Sequence, residues 1–348
     1  MKLEIEKFPE FDGHKFVSFV FDKKSGLRGV IAIHRGGLTS PAMGATRLWG
    51  YSSEADAISD ALRLSKIMSY KSALAGVKYG GAKAVLIGSD LTPKKRKELC
   101  RAYAKRINYL NGKFITGTDV GLEDDDVKIM RKETPYIIGT RVDPALYTAI
   151  GVVNGIQACL KKVFGKESIK NHSFAIQGLG KTGFRILKIL YRDTKKIYIA
   201  DIDSKKITKA KKMFPEIKVV PPAKIYKENV DVFVPCALSG VLNSETVSEL
   251  HTKIIAGSAN NQLKSDDIGN LLHKLGILYA PDYVINSGGL ISVVDEFENE
   301  NPNDKRINKK VLKLKTTLKK IFAKSKKQDK ATNIIANEMA EKIFNNKI

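Results

Sequence analysis

Residues 173–201 constrain the chain more than any other stretch. A β-forming run at 173–177 leads into Gly178-Leu179-Gly180-Lys181-Thr182-Gly183; an apolar-periodic segment follows to about residue 191, and a second β-forming run at 196–200 ends on Asp201. A Gly-x-Gly-x-x-Gly alone is a weak signal, but with a strand before it and a helix, strand and acid after it, it specifies a βαβ unit and therefore a parallel sheet. Gly178 permits the tight turn, Gly180 lets backbone approach a pyrophosphate, and Gly183 lets the helix pack against the strand. The helix N-terminus, at Lys181 and Thr182, faces the anion. Asp201 would accept hydrogen bonds from ribose hydroxyls and repel a 2′-phosphate, so NAD is expected over NADP. Lys205 and Lys206 follow closely enough to meet such a phosphate and soften that preference.

Further strands are expected at 230–234, 253–256 and 277–279, separated by helices and preceded by a long helix over 147–164. Together they predict a Rossmann-type doubly wound domain over 147–320. An acidic, Asn-rich connector at 296–304 and two helices, 306–324 and 331–344, close the chain. The first 140 residues predict a separate α/β domain. Strands are expected at 16–21 and 27–34, with a turn at 23–26 and a break at Gly36-Gly37. Residues 40–49 are polar and Gly-interrupted. Ser53 and Asp56 form a capping pattern, and Ala57, Ala61, Leu64 and Met68 recur with helical spacing in a helix that ends near Lys71. Short strands at 84–87 and 114–116 flank a helix opened by Thr92-Pro93.

Two lysines, Lys71 and Lys83, bracket Gly80-Gly81 among mostly small residues. If both lean into one cleft, burial makes one of them a usable base; otherwise they are solvated surface lysines. Asp119 lies between Gly117 and Gly121 on a loop after a strand, a placement that suits chemistry. It equally suits a turn residue capping the next helix.

Of 348 residues, 43% are apolar, enough for two cores, and no apolar run reaches the length of a membrane span. The N-terminus alternates charged and apolar residues without a signal-peptide pattern, and Cys100, Cys159 and Cys236 form no CxxC pair; a cytoplasmic location and no membrane association are expected. The five histidines show no metal spacing, so no metal is expected. Sixty Lys plus Arg against 37 Asp plus Glu give a net charge of +23. The lysine clusters at 94–97, 205–212 and 309–330 have helical spacing without interleaved aromatics, which predicts solvated helix faces and no specific nucleic-acid partner.

Eight segments in order resemble the amino acid dehydrogenases of the Glu/Leu/Phe/Val type, most of all the leucine dehydrogenases: Pro41-Ala42-Met43-Gly44-Ala45-Thr46-Arg47, Tyr70-Lys71, Gly80-Gly81-Ala82-Lys83, Thr118-Asp119-Val120-Gly121, residues 178–183, Pro235-Cys236-Ala237-Leu238, residues 256–263 and residues 280–286. The resemblance implies a catalytic domain, a Rossmann domain behind it, a cleft between them, and a C-terminal segment, the terminal helices at about 325–348, that returns toward the first domain. It implies reversible NAD-dependent deamination of an L-amino acid to its 2-oxo acid and ammonia, in a homo-oligomer between dimer and octamer. Lys71 would pair with the substrate carboxylate, Lys83 would be the low-pKa lysine that activates water, and Asp119 would exchange protons with the amine. Lys181, Thr182, Cys236, Ala237, Asn260 and Asn286 would contact the cofactor. For the two asparagines, ordinary turn chemistry is the alternative.

Met43, Gly44, Gly117, Thr148, Leu290 and Val293 would shape the substrate pocket. Members that act on glutamate carry lysine where Met43 stands, so an apolar side chain is implied. Gly117 deepens the pocket and Leu290 fills it, leaving an aliphatic substrate first and an aromatic one second. Two departures stand out: Ala45 replaces the second glycine of the family's Gly-Gly pair, and the 139–147 loop is shorter than in leucine dehydrogenases. A non-catalytic polyanion-binding or regulatory protein that reuses the fold is the alternative from another class.

Overall fold

The structure, a computed structural model, describes residues 4–36 and 40–345. Gly37 of the expected break lies outside them. The chain divides into two compact units: unit 1 holds the chain through Val142, Val293–Pro302 and the end from Ile343, and unit 2 holds Asp143–Ser292 and Asn303–Lys342.

Unit 1 contains β1 (Phe16–Asp22), β2 (Leu27–Ile33), β3 (Ala42–Trp49), α1 (Glu54–Ala75), β4 (Gly80–Ile87), α2 (Pro93–Tyr109), β5 (Phe114–Thr118) and α3 (Asp124–Arg131). Its sheet runs β1-β2-β4-β3-β5, with β3 parallel to both β4 and β5 and the hairpin strands antiparallel. One face packs on α1 through Val30, Ala32 and Val85 against Ala57, Ile58, Ala61 and Leu62. The other packs on α2 through Ala82, Ala84 and Leu86 with Leu99, Tyr103 and Ile107. α1 starts where Ser53 Oγ accepts the Asp56 N–H and stops at Gly76, whose φ of 69° is left-handed.

The polar stretch at 40–49 forms β3, flanked on both sides in the sheet. It can be there because its polar groups are satisfied: buried Thr46 hydrogen-bonds Tyr103 Oη at 2.6 Å and Thr116 Oγ1 at 2.8 Å. Gly44 is required as well, since a Cβ there would sit 1.8 Å from the Ala82 oxygen.

Unit 2 contains α4 (Pro144–Phe164), β6 (Phe174–Gln177), α5 (Lys181–Leu190), β7 (Ile197–Ala200), α6 (Ser204–Met213), β8 (Lys218–Val219), β9 (Val232–Pro235), α7 (Ser244–Ser248), β10 (Ile254–Ile255), α8 (Asp266–Lys274), β11 (Leu278–Tyr279), α9 (Asp282–Ile285), the start of α10 (Gly288–Glu298), α11 (Asp304–Gln328) and nearly all of α12 (Thr332–Asn345). The six strands are parallel in the order β11-β10-β9-β6-β7-β8. After β6 the chain builds outward to β7 and β8, then crosses back to β9. The strand order therefore reverses beside β6, as a doubly wound sheet requires.

The terminal helices return to unit 1 only at their end: through Lys342 they belong to unit 2, while Val293–Pro302 and residues 343–345 group with unit 1, where Phe344 stacks on Tyr70 with ring centroids 5.8 Å apart. The cause is packing. α11 buries Ile307, Val311, Leu314, Leu318 and Ile321, and lies against α4 and α9. At the start of α12, Thr332 Oγ1 donates to the Tyr279 oxygen at 2.7 Å. The acidic stretch at 296–304 is likewise no simple connector, because α10 runs through Glu298. Among the described residues no helix is long and apolar enough to cross a membrane, and no group of His, Cys, Asp and Glu could hold a metal.

Candidate active site

Strand register assembles the charged residues of unit 1. Ala45 of β3 lies opposite both Lys83 of β4 and Gly117 of β5. Partners across a parallel pair share a face, and so do residues two apart along a strand. Met43, Ala45 and Arg47 therefore line the same face as Lys83 and Gly117, with Asp119 just past the end of β5. Lys83 Nζ donates to Asp119 Oδ2 at 2.5 Å, and the lysine side chain is only 6% exposed. Lys83 is thus no solvated surface lysine.

The Asp119 loop is held on β3. The Asp119 N–H donates to the Thr46 oxygen and the Leu48 N–H to the Val120 oxygen, both at 3.0 Å. Gly121, at φ 85°, allows this approach, since a Cβ there would lie 1.7 Å from the Leu48 oxygen. Arg96 adds a bond to the Gly121 oxygen at 2.6 Å. Helix α3 is capped by Glu123 and Asp126 and not by Asp119, which removes the capping alternative. Burial alone would raise the Asp119 pKa; Lys83 and Arg47 outweigh it and hold the carboxyl well below the usual carboxylate range.

Lys71 lies half-buried one turn before the end of α1. Two residues earlier α1 meets β4 at Gly81, where a Cβ would fall 1.9 Å from the Ser69 nitrogen, and the Gly81 N–H donates to Ser69 Oγ at 3.1 Å. That contact sets the level of Lys71 on α1 relative to β4. Met43 is fully buried, Leu290 is buried and Val293 is half-buried. Val293 belongs to unit 1, whereas Thr148 and Leu290 belong to unit 2. Thr148 Oγ1 donates to the Pro144 oxygen at 2.9 Å within α4.

The glycine turn of unit 2 fits a dinucleotide. Gly178 has φ 97°, and a Cβ there would meet Ala237 at 2.9 Å; one on Gly183 would lie 2.0 Å from the Gly178 oxygen and 3.1 Å from Cys236 Cβ. At Gly180 nothing lies within 4 Å of the corresponding position, which leaves space for a pyrophosphate. Gly180 is also the N-cap of α5 and offers its first turn no side-chain oxygen, an arrangement that receives an anion. Asp201 accepts the Leu179 N–H at 2.6 Å and the Asp203 N–H at 2.8 Å, one on each oxygen. A carboxylate has about four acceptor sites, so capacity remains for ribose hydroxyls. Lys206 Nζ is 3.8 Å from the same carboxylate.

Asn286 Nδ2 donates to Asn260 Oδ1 at 2.8 Å and to the Ser258 oxygen at 3.2 Å, while its buried Oδ1 has no partner. Such an acceptor suits an amide N–H of a nicotinamide carboxamide. The left-handed position in this loop is Asn261, at φ 51°, and not Asn260. Left-handed turn chemistry therefore does not account for Asn260.

Sequence reasoning passed over two groups. Arg47 donates from Nε to Asp119 Oδ2 at 3.1 Å and from Nη1 to Asp60 Oδ2 at 2.8 Å; Asp60 also accepts from Tyr51 and Arg63, each at 2.6 Å. No local pattern marks this group, since 40–49 does not read as a strand and Asp60 and Asp119 lie 13 and 72 residues from Arg47. The second group is Glu296, 2% exposed, whose carboxylate takes the N–H groups of Gly139, Thr140 and Arg141 at 3.0, 3.1 and 3.2 Å. The short loop after residue 138 is thereby tied down within unit 1.

Residues 14–136 match the family described as Glu/Leu/Phe/Val dehydrogenase, dimerisation domain, and residues 193–344 that described as Glutamate/Leucine/Phenylalanine/Valine dehydrogenase. Leucine dehydrogenase of Geobacillus stearothermophilus is 40% identical over 345 residues, which is 97% of this chain and 93% of that protein. Phenylalanine dehydrogenase of Bacillus thermotolerans is 41% identical over 344 residues, 96% of this chain and 89% of that one. The crystal structure of L-tryptophan dehydrogenase from Nostoc punctiforme aligns with a TM-score of 0.82 at 41% identity, covering 96% of both chains.

Proposed function

Because the chain belongs to the Glu/Leu/Phe/Val dehydrogenase family, and is thus an NAD(P)-dependent amino acid dehydrogenase, we propose that it interconverts an apolar L-amino acid of the leucine, valine and isoleucine class with its 2-oxo acid and ammonia. The observation that carries this is the Lys83–Asp119 pair at 2.5 Å, with Lys83 buried on the sheet face that also bears Met43.

Bound NAD supplies a hydride acceptor for the substrate Cα–H. The chain's own residues do the rest. Lys71 holds the substrate carboxylate as a fixed cation. Once hydride has left, the substrate is an iminium; Lys83 directs water onto its carbon and stabilises the oxygen of the resulting carbinolamine. Asp119 exchanges protons with the nitrogen, so that ammonia departs and the carbonyl forms. Contact between Lys83 and Asp119 gives the protons a direct path between the two groups.

Met43 offers a thioether and no cation, which disfavours an acidic side chain. Ala45 sets its methyl beside Lys83 and Gly117, while Gly117 leaves the neighbouring position on β5 without one. This second feature favours an aromatic substrate as the runner-up. Relatives named for leucine and for phenylalanine stand at equal distance, so the choice between these classes rests on the pocket residues and not on overall identity. Asp201 supports NAD over NADP. A homo-oligomer fits β1, an edge strand with Phe19 and Phe21 exposed at 52% and 62%. Three free cysteines fit a reducing compartment.

A panel of L-amino acids with NAD, followed by NADH absorbance, tests the proposal. Leucine, valine or isoleucine is expected to turn over faster than phenylalanine or tryptophan, with glutamate inert. Lys83→Ala and Asp119→Asn are each expected to lower kcat by about 10²–10⁴-fold with NADH binding retained. No turnover on any apolar amino acid, together with salt-sensitive nucleic-acid binding at physiological ionic strength, would instead support the polyanion-binding alternative.

A further inference from the structure

Among the described residues, Arg47 touches both Asp119 and Asp60 of helix α1. Its Nε donates to Asp119 Oδ2 at 3.1 Å, the same oxygen that Lys83 holds, and its Nη1 donates to Asp60 Oδ2 at 2.8 Å. The Arg47 side chain is 21% exposed, Asp60 13% and Asp119 16%, so water screens these contacts weakly. Asp60 is fixed in turn, by Tyr51 Oη and by Arg63 on the same helix, each at 2.6 Å. Arg47 itself extends from a strand flanked on both sides, where its backbone has little freedom.

We propose that Arg47 is a positioning residue, clamped by Asp60 so that it presents Asp119 to Lys83 in one orientation and keeps it ionised. This rests on Asp119 being the group that exchanges protons with the substrate amine. A guanidinium suits the task because its donors are spread across a planar fork and can serve two carboxylates at once; a lysine ammonium brings the charge without that geometry. Among the described residues, Lys83 from β4 and Arg47 from β3 pair with Asp119, with Asp60 and Arg63 from α1 one contact further out. Arg47 thus supplies one of the two cations that favour the carboxylate form. Without it Asp119 would protonate at higher pH and would be free to turn away from Lys83.

The test compares Arg47→Ala, Arg47→Lys and Asp60→Asn in the full-length enzyme, measuring kcat and KM against pH and NADH binding by fluorescence. Arg47→Ala is expected to lower kcat at least tenfold at neutral pH, to move the acid limb of the kcat profile upward, and to leave NADH affinity within twofold. Arg47→Lys should restore the acid limb while kcat stays below the parent. Asp60→Asn should lower kcat without an upward move of the acid limb, because it removes an anion and not a cation. A folded Arg47→Ala enzyme with kcat within threefold of the parent and an unmoved acid limb overturns the proposal. Should Arg47→Ala fail to fold, Asp60→Asn decides, and parental kcat in that variant overturns it equally. Asp119→Asn separates the two levels: if that variant keeps parental turnover, the role given to Asp119 fails, whereas if it is inactive while Arg47→Ala is not, only the positioning role fails.

Discussion

Two kinds of buried ionisable residue coexist in unit 1. Lys83 is buried as half of a charged pair with the partly exposed Asp119, whereas His34 is buried neutral. His34 is fully buried; its Nε2 lies 3.0 Å from Asp12 Oδ2, and its Nδ1 has no hydrogen-bond partner. Burial, with Arg35 nearby, pushes its pKa down from 6.5 to about 3, against the opposing hydrogen bond to Asp12. The sign of the linkage follows. Below the unfolded value of 6.5 the unfolded chain takes up a proton that the native state refuses until about pH 3, so the stability present above pH 6.5 is lost progressively across that window. The limiting slope is about 1.4 kcal/mol per pH unit for one such proton. His14, lowered chiefly by burial, acts in the same direction. Urea unfolding at a series of pH values should show stability falling from pH 6.5 downward, and His34→Asn should flatten part of that fall. An unchanged slope in the variant would count against a neutral His34. Of the residues at this scale, Lys83 and Asp119 were legible as residue types beside suggestive glycines. Arg47 and Asp60 were not, because nothing local distinguishes a paired buried charge from a solvated one.

Close approaches between elements turn on single glycines. Gly81 lets α1 lie directly on β4, and an added Cβ would meet helix backbone that cannot yield. Gly81→Ala should therefore cost about 3 kcal/mol or more, read as a lower urea midpoint. Two glycines of the nucleotide turn should separate stability from binding. Gly183→Ala forces a Cβ onto the Gly178 oxygen and should destabilise unit 2, whereas Gly180→Ala meets nothing and should leave stability within about 0.5 kcal/mol. Gly180→Ala should nonetheless weaken NADH binding at least tenfold in a fluorescence titration, since its methyl occupies space that the pyrophosphate needs. The βαβ unit was legible because glycine spacing, strand and helix all fall within one short window. β3 was not, because Thr46 and Arg47 hide its apolar alternation until Tyr103, Asp60 and Asp119 are in place to satisfy them.

For the molecule as a whole, the net charge of +23 is the property that invites another function. α11 shows how that charge is carried: Ile307, Val311, Leu314, Leu318 and Ile321 face the core of unit 2, and Lys309, Lys313, Lys320, Lys324 and Lys327 are exposed. Lys315 and Lys319 are already paired with Glu167, at 3.0 and 2.9 Å. This is the pattern of an amphipathic helix with a solvated face. Binding to duplex DNA, measured by fluorescence polarisation, is expected at low ionic strength and should vanish by about 0.2 M salt, with turnover persisting throughout. Sequence-independent binding that survives at that salt would reopen the polyanion alternative. The sequence by itself determined what short windows encode: the dinucleotide turn, the helix caps, the two α/β halves and the residue types of the site. Only the tertiary structure decided which charges meet and where the last helices lie. Lys83 and Asp119 are 36 residues apart and Arg47 and Asp119 72, and strand register alone brings them together. The apolar stripe of α11 says that it must be buried, but its partners, α4 and α9, are fixed only when the second sheet and its helices have assembled.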